Sequence, residues 1–389
     1  MYLVFITCLL FVSTLSPHPV SAQLTEQGRM EWVDGQKILH LKGSPYEIGH
    51  QHGCLLKKEI AYNLKRFIEP IFSSDERLPP VVTHFLEALP GIARRLPEHL
   101  MEEMLGVADG SEQSFKKILL LNLFPEMFHC TGITVQGEAT KHGELYHVRV
   151  LDYAAGNGLQ HTAVLAVVEP KKGIPFLNVT YAGFVGCVTG MNLDKITIGE
   201  IGGKGYGHWK GIPMAFLLRT ILQYASNLDD VKHLLETTER TCEYYYVFSD
   251  GKTGQSLGCY ATSDLLKFLF PGETYSKFPS IKNTFDPPSL FSEASLTPLS
   301  YEQPKDILMI TRGNQYGLLQ NRLLMNYGSL DIEDLKQAIK EPVACSTNLH
   351  NAIFAPETLD VWISHAGLNN EPACDEPYHH FNLKTLLGQ

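Results

Sequence analysis

The sequence predicts an α+β chain in which two β-sheets are covered on their outer faces by helices, behind a mostly helical leading segment. Three observations carry that prediction. Residues 46–128 repeat their apolar positions at three- and four-residue steps, the helical period. At residue 130 the pattern switches to short apolar runs of strand length. Those runs fall in two groups separated by helical stretches, with no internal repeat, an order that suits two helix-covered sheets.

The elements follow in order. Residues 37–42 read as a strand, and Gly43-Ser44-Pro45 as the turn that ends it. Ile48, Leu55, Leu56, Ile60, Leu64, Phe67 and Ile68 mark a helical stretch over 46–72. A second helical stretch, 79–107, is broken by Pro90 and Pro97, and a third starts from Ser114 as N-cap. Strands are expected at 130–136, 144–152, 161–168, 175–181 and 195–201. Helices over 213–225 and 228–236 come next, then a hairpin, 244–249 and 255–261, around Asp250-Gly-Lys-Thr-Gly254. Residues 271–305, rich in Pro, Ser and Thr, read as a long loop. A strand at 306–311, helices at 316–326 and 330–341, and strands near 350–355 and 358–364 close the chain.

Composition narrows the function classes. The 389 residues carry a net charge of −10 and are 44% hydrophobic, enough for a sizeable core. The acidic balance and the lack of a Lys/Arg cluster argue against nucleic acid as a partner. Residues 2–12 form an apolar run too short to span a bilayer, which needs about 20 residues. Pro17, Pro19 and Val20-Ser21-Ala22 follow, so residues 1–22 read as a secretory signal peptide, although no Lys or Arg precedes the apolar run. An uncleaved anchor or a buried strand is the other reading. Export leaves a secreted, periplasmic or lumenal chain with no transmembrane segment.

Export also sets the cysteine arithmetic. Removing Cys8 leaves seven cysteines, so an exported chain with disulfides has one odd cysteine, either an intermolecular link or a functional thiol. Spacing does not give the pairing of Cys54, Cys187, Cys242, Cys259, Cys345 and Cys374. No spacing suggests zinc, and no cofactor motif stands out. His50 and His52 are split to different faces by their helical pattern. Asn178-Val-Thr180 is a glycosylation sequon.

Cys130 is a thiol with chemistry around it. Arg149 and Asp152 follow it by 19 and 22 residues, a spacing at which the return strand of a hairpin lies beside the first. A guanidinium near a thiol favours the thiolate, and a carboxylate can orient an amine. Positions three apart on a strand face opposite sides, so both groups meet Cys130 only through a bend near Leu151. A buried Cys beside an ordinary Arg–Asp pair fits the same spacing.

Cys130-Thr131-Gly132-Ile133 followed by Arg149-Val-Leu-Asp152-Tyr153 resembles the nucleophile region of the N-terminal nucleophile (Ntn) hydrolases related to choloylglycine hydrolase and acid ceramidase. The peptidase C45 or acyl-CoA:6-aminopenicillanic-acid acyltransferase family is the nearer resemblance. Segments 43–53, 190–202 and 347–362 resemble further motifs of that family in the same order. The resemblance implies an αββα sandwich of two stacked antiparallel sheets. It also implies self-cleavage between His129 and Cys130, giving chains 23–129 and 130–389 that stay associated.

By the same resemblance, Cys130 is nucleophile, Arg149 activates the thiol, Asp152 orients the new α-amine and Asn314 lines the oxyanion hole. Arg312-Gly313 stands where relatives often carry Thr directly before that Asn. Glu200, Arg322 and Asn192 are expected near the substrate. The implied reaction cleaves a non-peptide or terminal amide of a small N-acyl substrate, or passes the acyl group to an amine, without a cofactor. A self-uncleaved Cys–His hydrolase and a non-catalytic secreted binding protein are the alternatives.

Overall fold

The computed structural model describes residues 28–73, 80–123, 129–153, 155–202, 207–276, 278, 300–311 and 313–389. The expected signal peptide and most of the 271–305 loop lie outside the described residues. The leading segment gives β1 (Arg29–Val33) and β2 (Gln36–Gly43), then α1 (Pro45–Leu55), α2 (Lys57–Asn63) and α3 (Glu69–Ser73). It continues through α4 (Pro80–Ala93), α5 (Glu98–Ser111) and α6 (Phe115–Leu123). The hairpin β3 (His129–Val135) and β4 (Tyr146–Asp152) is followed by β5 (Ala163–Pro170), β6 (Phe176–Tyr181), β7 (Thr189–Asn192) and β8 (Ile196–Ile201). Helices α7 (Met214–Tyr224) and α8 (Leu228–Thr237) precede β9 (Glu243–Asp250), β10 (Gln255–Thr262) and β11 (Leu266–Leu269). Then come β12 (Thr274–Ser276), β13 (Ser300–Glu302), β14 (Ile307–Ile310), α9 (Gly313–Met325) and α10 (Ile332–Ala338). The chain closes with β15 (Asn348–Ala355), β16 (Asp360–His365), β17 (His379–Asn382) and α11 (Leu383–Leu386).

Two large sheets result. One runs β1-β2-β5-β6-β7-β8-β9-β10-β11, and the other β14-β3-β4-β15-β16-β17. All their pairings are antiparallel except β2 with β5, which run parallel from Ile38↔Leu165 to Gly43↔Pro170. The leading segment is therefore not purely helical: it supplies two strands to the larger sheet. Alternation explains the stacking. Leu165, Val167, Leu177 and Val179 face Ala352, Phe354, Val361 and Ile363 between the sheets. Their neighbours Val164, Ala166 and Val168 pack outward with the helices of the leading segment and α7. On the smaller sheet Ile133, Val135, Val148 and Val150 pack outward with Leu319, Leu323 and Leu335 of α9 and α10. Strands buried on both faces appear in sequence as unbroken apolar runs, which is why 161–168 reads clearly. The result is the helix–sheet–sheet–helix sandwich the sequence predicts.

The polar exceptions gather on one part of the inner face. Thr134 donates to Ser256 at 2.7 Å across the sheets, and His147 Nδ1 lies 2.9 Å from Ser249 Oγ. The short strands β1, β7, β11 and β17 were not expected, and Pro90 sits inside α4 while Pro97 caps α5. Ser44 and Glu47 close a capping box on α1, with Pro45 in its first turn, as the Gly43-Ser44-Pro45 turn suggested. The sequon residue Asn178 is buried on β6 and donates to the Gly186 carbonyl at 3.1 Å, so the folded chain does not present it. The expected disulfides are not formed: among the described residues Cys54, Cys187, Cys242, Cys259, Cys345 and Cys374 all remain thiols. Among the described residues no helix is long and apolar enough to cross a membrane.

Two glycine pairs set the helical layer. A Cβ built at Gly49 of α1 would lie 1.8 Å from the Glu103 carbonyl oxygen, and one at Gly106 of α5 2.2 Å from that of Tyr46. Gly53 and Gly110, one turn further along, are pressed in the same way against Val107 and His50. The two backbones touch because neither carries a side chain there. We expect Gly106→Ala to destabilise the chain by about 1–3 kcal/mol or more in urea unfolding, through overpacking against backbone that cannot yield. Gly91→Ala in α4 is the control: its Cβ would meet only Arg95 Nη1 at 3.9 Å, so it gains about 0.5–1 kcal/mol of helix propensity.

Candidate active site

Cys130 occupies the second position of β3, on the face turned toward the larger sheet. Cross-strand register places it opposite Leu151, with Gly132 opposite Arg149 in the next row of the same face. Residues 130, 132 and 134 share that face by the two-residue strand period, and so do 147, 149 and 151. Gly132 has room for no side chain, since a Cβ there would come within 2.6 Å of Ile201 Cδ1 on the facing sheet. Gly199 on β8 plays the reciprocal part. A Cβ there would meet Arg149 Cδ and His147 Nε2, each at 3.0 Å. The missing side chains let the long Arg149 arm lie flat between the sheets.

That arm ends at the thiol. Arg149 Nη2 donates to Cys130 Sγ at 2.8 Å and to Glu200 Oε2 at 3.0 Å. The thiol in turn donates to Glu200 Oε2 at 3.4 Å. Arg149 also donates to the Val188 carbonyl at 3.4 Å and, through Nη1, to the Val150 carbonyl. Cys130 is 2% exposed, and Arg149 and Glu200 are completely buried. Burial pushes the Cys130 thiol up; Arg149 pulls the other way and Glu200 adds to the rise. With His129 and Cys130 joined in one strand, the sulfur is held as a thiol whose proton points to a carboxylate.

Asp152 lies at the end of β4, opposite His129 on β3 and Asn348 on β15. Its Oδ1 accepts from the Cys345 amide at 2.9 Å. β4 keeps its register through Leu151, and the irregularity expected there is found instead on β15, between Asn348 and His350. Asp152 thus flanks the 129–130 peptide bond from the opposite face of the strand to Arg149. Asn314 sits at the start of α9, just beyond β14, the neighbour of β3 on its other side. Thr311, between them, shares a 2.7 Å hydrogen bond with Thr131. The side chains of His129 and Asn314 lie outside the described residues.

A second group was not anticipated. The row of Cys130 and Leu151 continues across the sheet as His350 and His365. Tyr181 OH lies 2.8 Å from His350 Nδ1, and Thr189 Oγ1 3.0 Å from His350 Nε2. Burial drives His350 well below its ordinary value, and His365 and Arg149 add to the fall. His350 belongs to the 347–356 segment singled out in sequence, but its ladder position appears only once register is known.

No family model matches the chain. Protein dcd1B of Dictyostelium discoideum is 27% identical over 90% of this chain and 75% of its own length. An uncharacterized protein of Archaeoglobus fulgidus is 25% identical over 79% of this chain, which spans 58% of that relative. Acid ceramidase of Homo sapiens is 26% identical over 64% of this chain and 67% of its own. The chain is thus similar in sequence to acid ceramidase over about two thirds of each protein. Among solved structures, a Caenorhabditis elegans N-acylethanolamine-hydrolyzing acid amidase ortholog superposes on 59% of this chain and 93% of its own, with TM-score 0.44 and 13% identity.

Two of the residues expected near the substrate are held elsewhere. Asn192 donates to the carbonyls of Leu222 and Ala225 and accepts from the Ile196 amide, tying the β7–β8 turn to the end of α7. Arg322 donates to the carbonyls of Ala338, Lys340 and Glu341, closing the C-terminal end of α10. Both are short polar anchors of backbone, a use that spacing alone does not separate from ligand binding. Glu200 is the one of the three that reaches Cys130.

The buried pair carries a stability signature. We expect Arg149→Ala to cost about 3–5 kcal/mol in denaturant unfolding, because Glu200 is left buried without its cation. Adding Glu200→Gln to that variant should restore part of the loss.

Proposed function

We propose that this chain is an Ntn-type amidohydrolase acting on N-acyl amides through a Cys130 thioester, after cutting its own chain before Cys130. The observation that carries the reading is the buried Cys130–Arg149–Glu200 cluster at the start of a strand. In the uncut chain, Sγ adds to the His129 carbonyl carbon and its proton passes toward Glu200. The carbon–nitrogen bond to Cys130 then breaks, and the nitrogen takes up that proton from Glu200 and leaves as an amine. Water resolves the thioester, releasing the His129 carboxylate. Cys130 is left with a free α-amino group, whose reference pKa of about 7.7–8.0 suits a general base.

In turnover that amine takes the thiol proton as Sγ attacks the substrate carbonyl, and later gives it to the leaving amine. Arg149 supports the anionic sulfur, and Asp152, flanking residues 129 and 130, is placed to orient the amine. Asn314, at the head of α9 beside β3, is the proposed oxyanion donor; such a donor contributes about 3–4 kcal/mol to transition-state stabilisation. Relatives named as acid ceramidase support amide chemistry. Transfer of the acyl group to an amine in place of water is the same chemistry with a different second nucleophile. The proposal includes export, with both chains held together after scission by the shared sheet.

Purified wild type is expected to give two chains, the larger with Cys at its N-terminus, and to release fatty or aryl acid from N-acyl amides. Cys130→Ala is expected to stay a single chain without activity. N-terminal sequencing, intact mass and acid release check this. An uncut wild type that still hydrolyses amides overturns self-activation, and a cut wild type inert toward a broad amide panel overturns the substrate class.

A further inference from the structure

The loop 182–187 joins β6 to β7, and both of its ends reach the Cys130 cluster. On one side Tyr181 bonds to His350, which lies in the row of the nucleophile. On the other the Val188 carbonyl accepts from Arg149 Nε at 3.4 Å and from the Glu200 amide at 3.1 Å. Anything that sets this loop sets the partners of Arg149 and Glu200. A buried loop must find partners for its backbone groups away from water.

Most of those partners are three side chains of the leading segment. His52 Nε2 accepts from the Gly183 amide at 2.9 Å. Asn63 donates to the Ala182 carbonyl at 2.8 Å and to Thr162 Oγ1 at 2.9 Å. Asn122 donates to the Gly183 carbonyl at 2.8 Å and accepts from the amides of Val185 and Gly186 at 2.6 and 3.3 Å. All three are buried at 3% exposure or less. Gly183 adopts φ +89°, and a Cβ there would press on Leu121 at 2.9 Å, so the loop is fitted to this surface. These polar residues lie on the buried side of their helices, where packing alone would favour a hydrocarbon side chain.

We infer that His52, Asn63 and Asn122 are positioning residues for the Cys130 centre, acting through the 182–187 loop. Residues 23–129 then hold the active arrangement in place after scission as well as before it. The inference rests on the proposed thioester chemistry for its kinetic readout only. The contacts themselves are independent of it.

The test uses full-length wild type, Asn122→Ala, His52→Leu and His52→Gln, the last retaining an acceptor for the Gly183 amide. Three quantities are read: amide hydrogen exchange at Gly183, Val185 and Gly186, the rate of Cys130 alkylation by iodoacetamide, and kcat and KM on an N-acyl amide. Asn122→Ala and His52→Leu are expected to speed loop exchange and raise Cys130 alkylation at least about tenfold. They should lower kcat on the order of 10–100-fold with little change in KM, as small displacements of catalytic groups do. His52→Gln should recover most of each effect. Faster loop exchange with alkylation and kcat unchanged overturns the inference. Altered alkylation in a chain whose wild type hydrolyses no amide upholds the positioning and overturns the amidase reading instead. If Asn122→Ala does not fold, the two His52 variants decide.

Discussion

Everything at the centre of this molecule depends on one buried cation. Arg149 lies wholly inside the protein, and a guanidinium cannot shed its charge there. It must therefore be met by groups that accept hydrogen bonds, and four converge on it: Cys130 Sγ, Glu200 Oε2 and the carbonyls of Val150 and Val188. Two come from the smaller sheet, one from β8 of the larger sheet and one from the residue just before β7, so satisfying the cation fixes how the sheets approach each other at this end. The glycines at 132 and 199 are the steric counterpart, clearing the space through which the arm passes.

The same arrangement disfavours ionisation of the thiol. Low local polarity raises the cost of a thiolate, and the carboxylate of Glu200 raises it further. The guanidinium offsets only part of this. An environment that discourages ionisation but offers a proton acceptor at 3.4 Å is consistent with the proposed single intramolecular reaction of Cys130. The histidine row beyond Leu151 is held neutral by burial and adds no charge that would compete for Arg149 or Glu200.

Much of this was legible before any coordinates. The strands buried on both faces announced themselves as apolar runs, and the hairpin spacing of Cys130 and Arg149 was enough to place them side by side. Short edge elements such as β17, His379–Asn382, were not legible, because four residues with two histidines carry no period. Glu200 was visible only as part of a family-like motif; its contact with Cys130 depends on how one sheet is stacked on another, which local pattern does not encode. Asn192 and Arg322, which hold backbone groups away from Cys130, show a related limit. A polar side chain that satisfies backbone carbonyls and one that meets a ligand look alike in sequence, and only the fold tells them apart. His52, Asn63 and Asn122 carried a faint signal, polar residues on the apolar side of helices, which helical periodicity alone passes over.

The strand order of the smaller sheet has a kinetic consequence. β3 pairs on one side with its hairpin partner, but on the other with β14, which arrives some 170 residues later, and β4 pairs with β15 later still. Such long-range pairings form slowly, because a large loop must close before any contact rewards it. The Cys130 strand is therefore hemmed on both sides only when nearly the whole chain has been made and folded. Under the proposed self-cleavage, reactivity at Cys130 would act as a timer, silent on nascent or half-folded chains and open only to a molecule that has finished assembling.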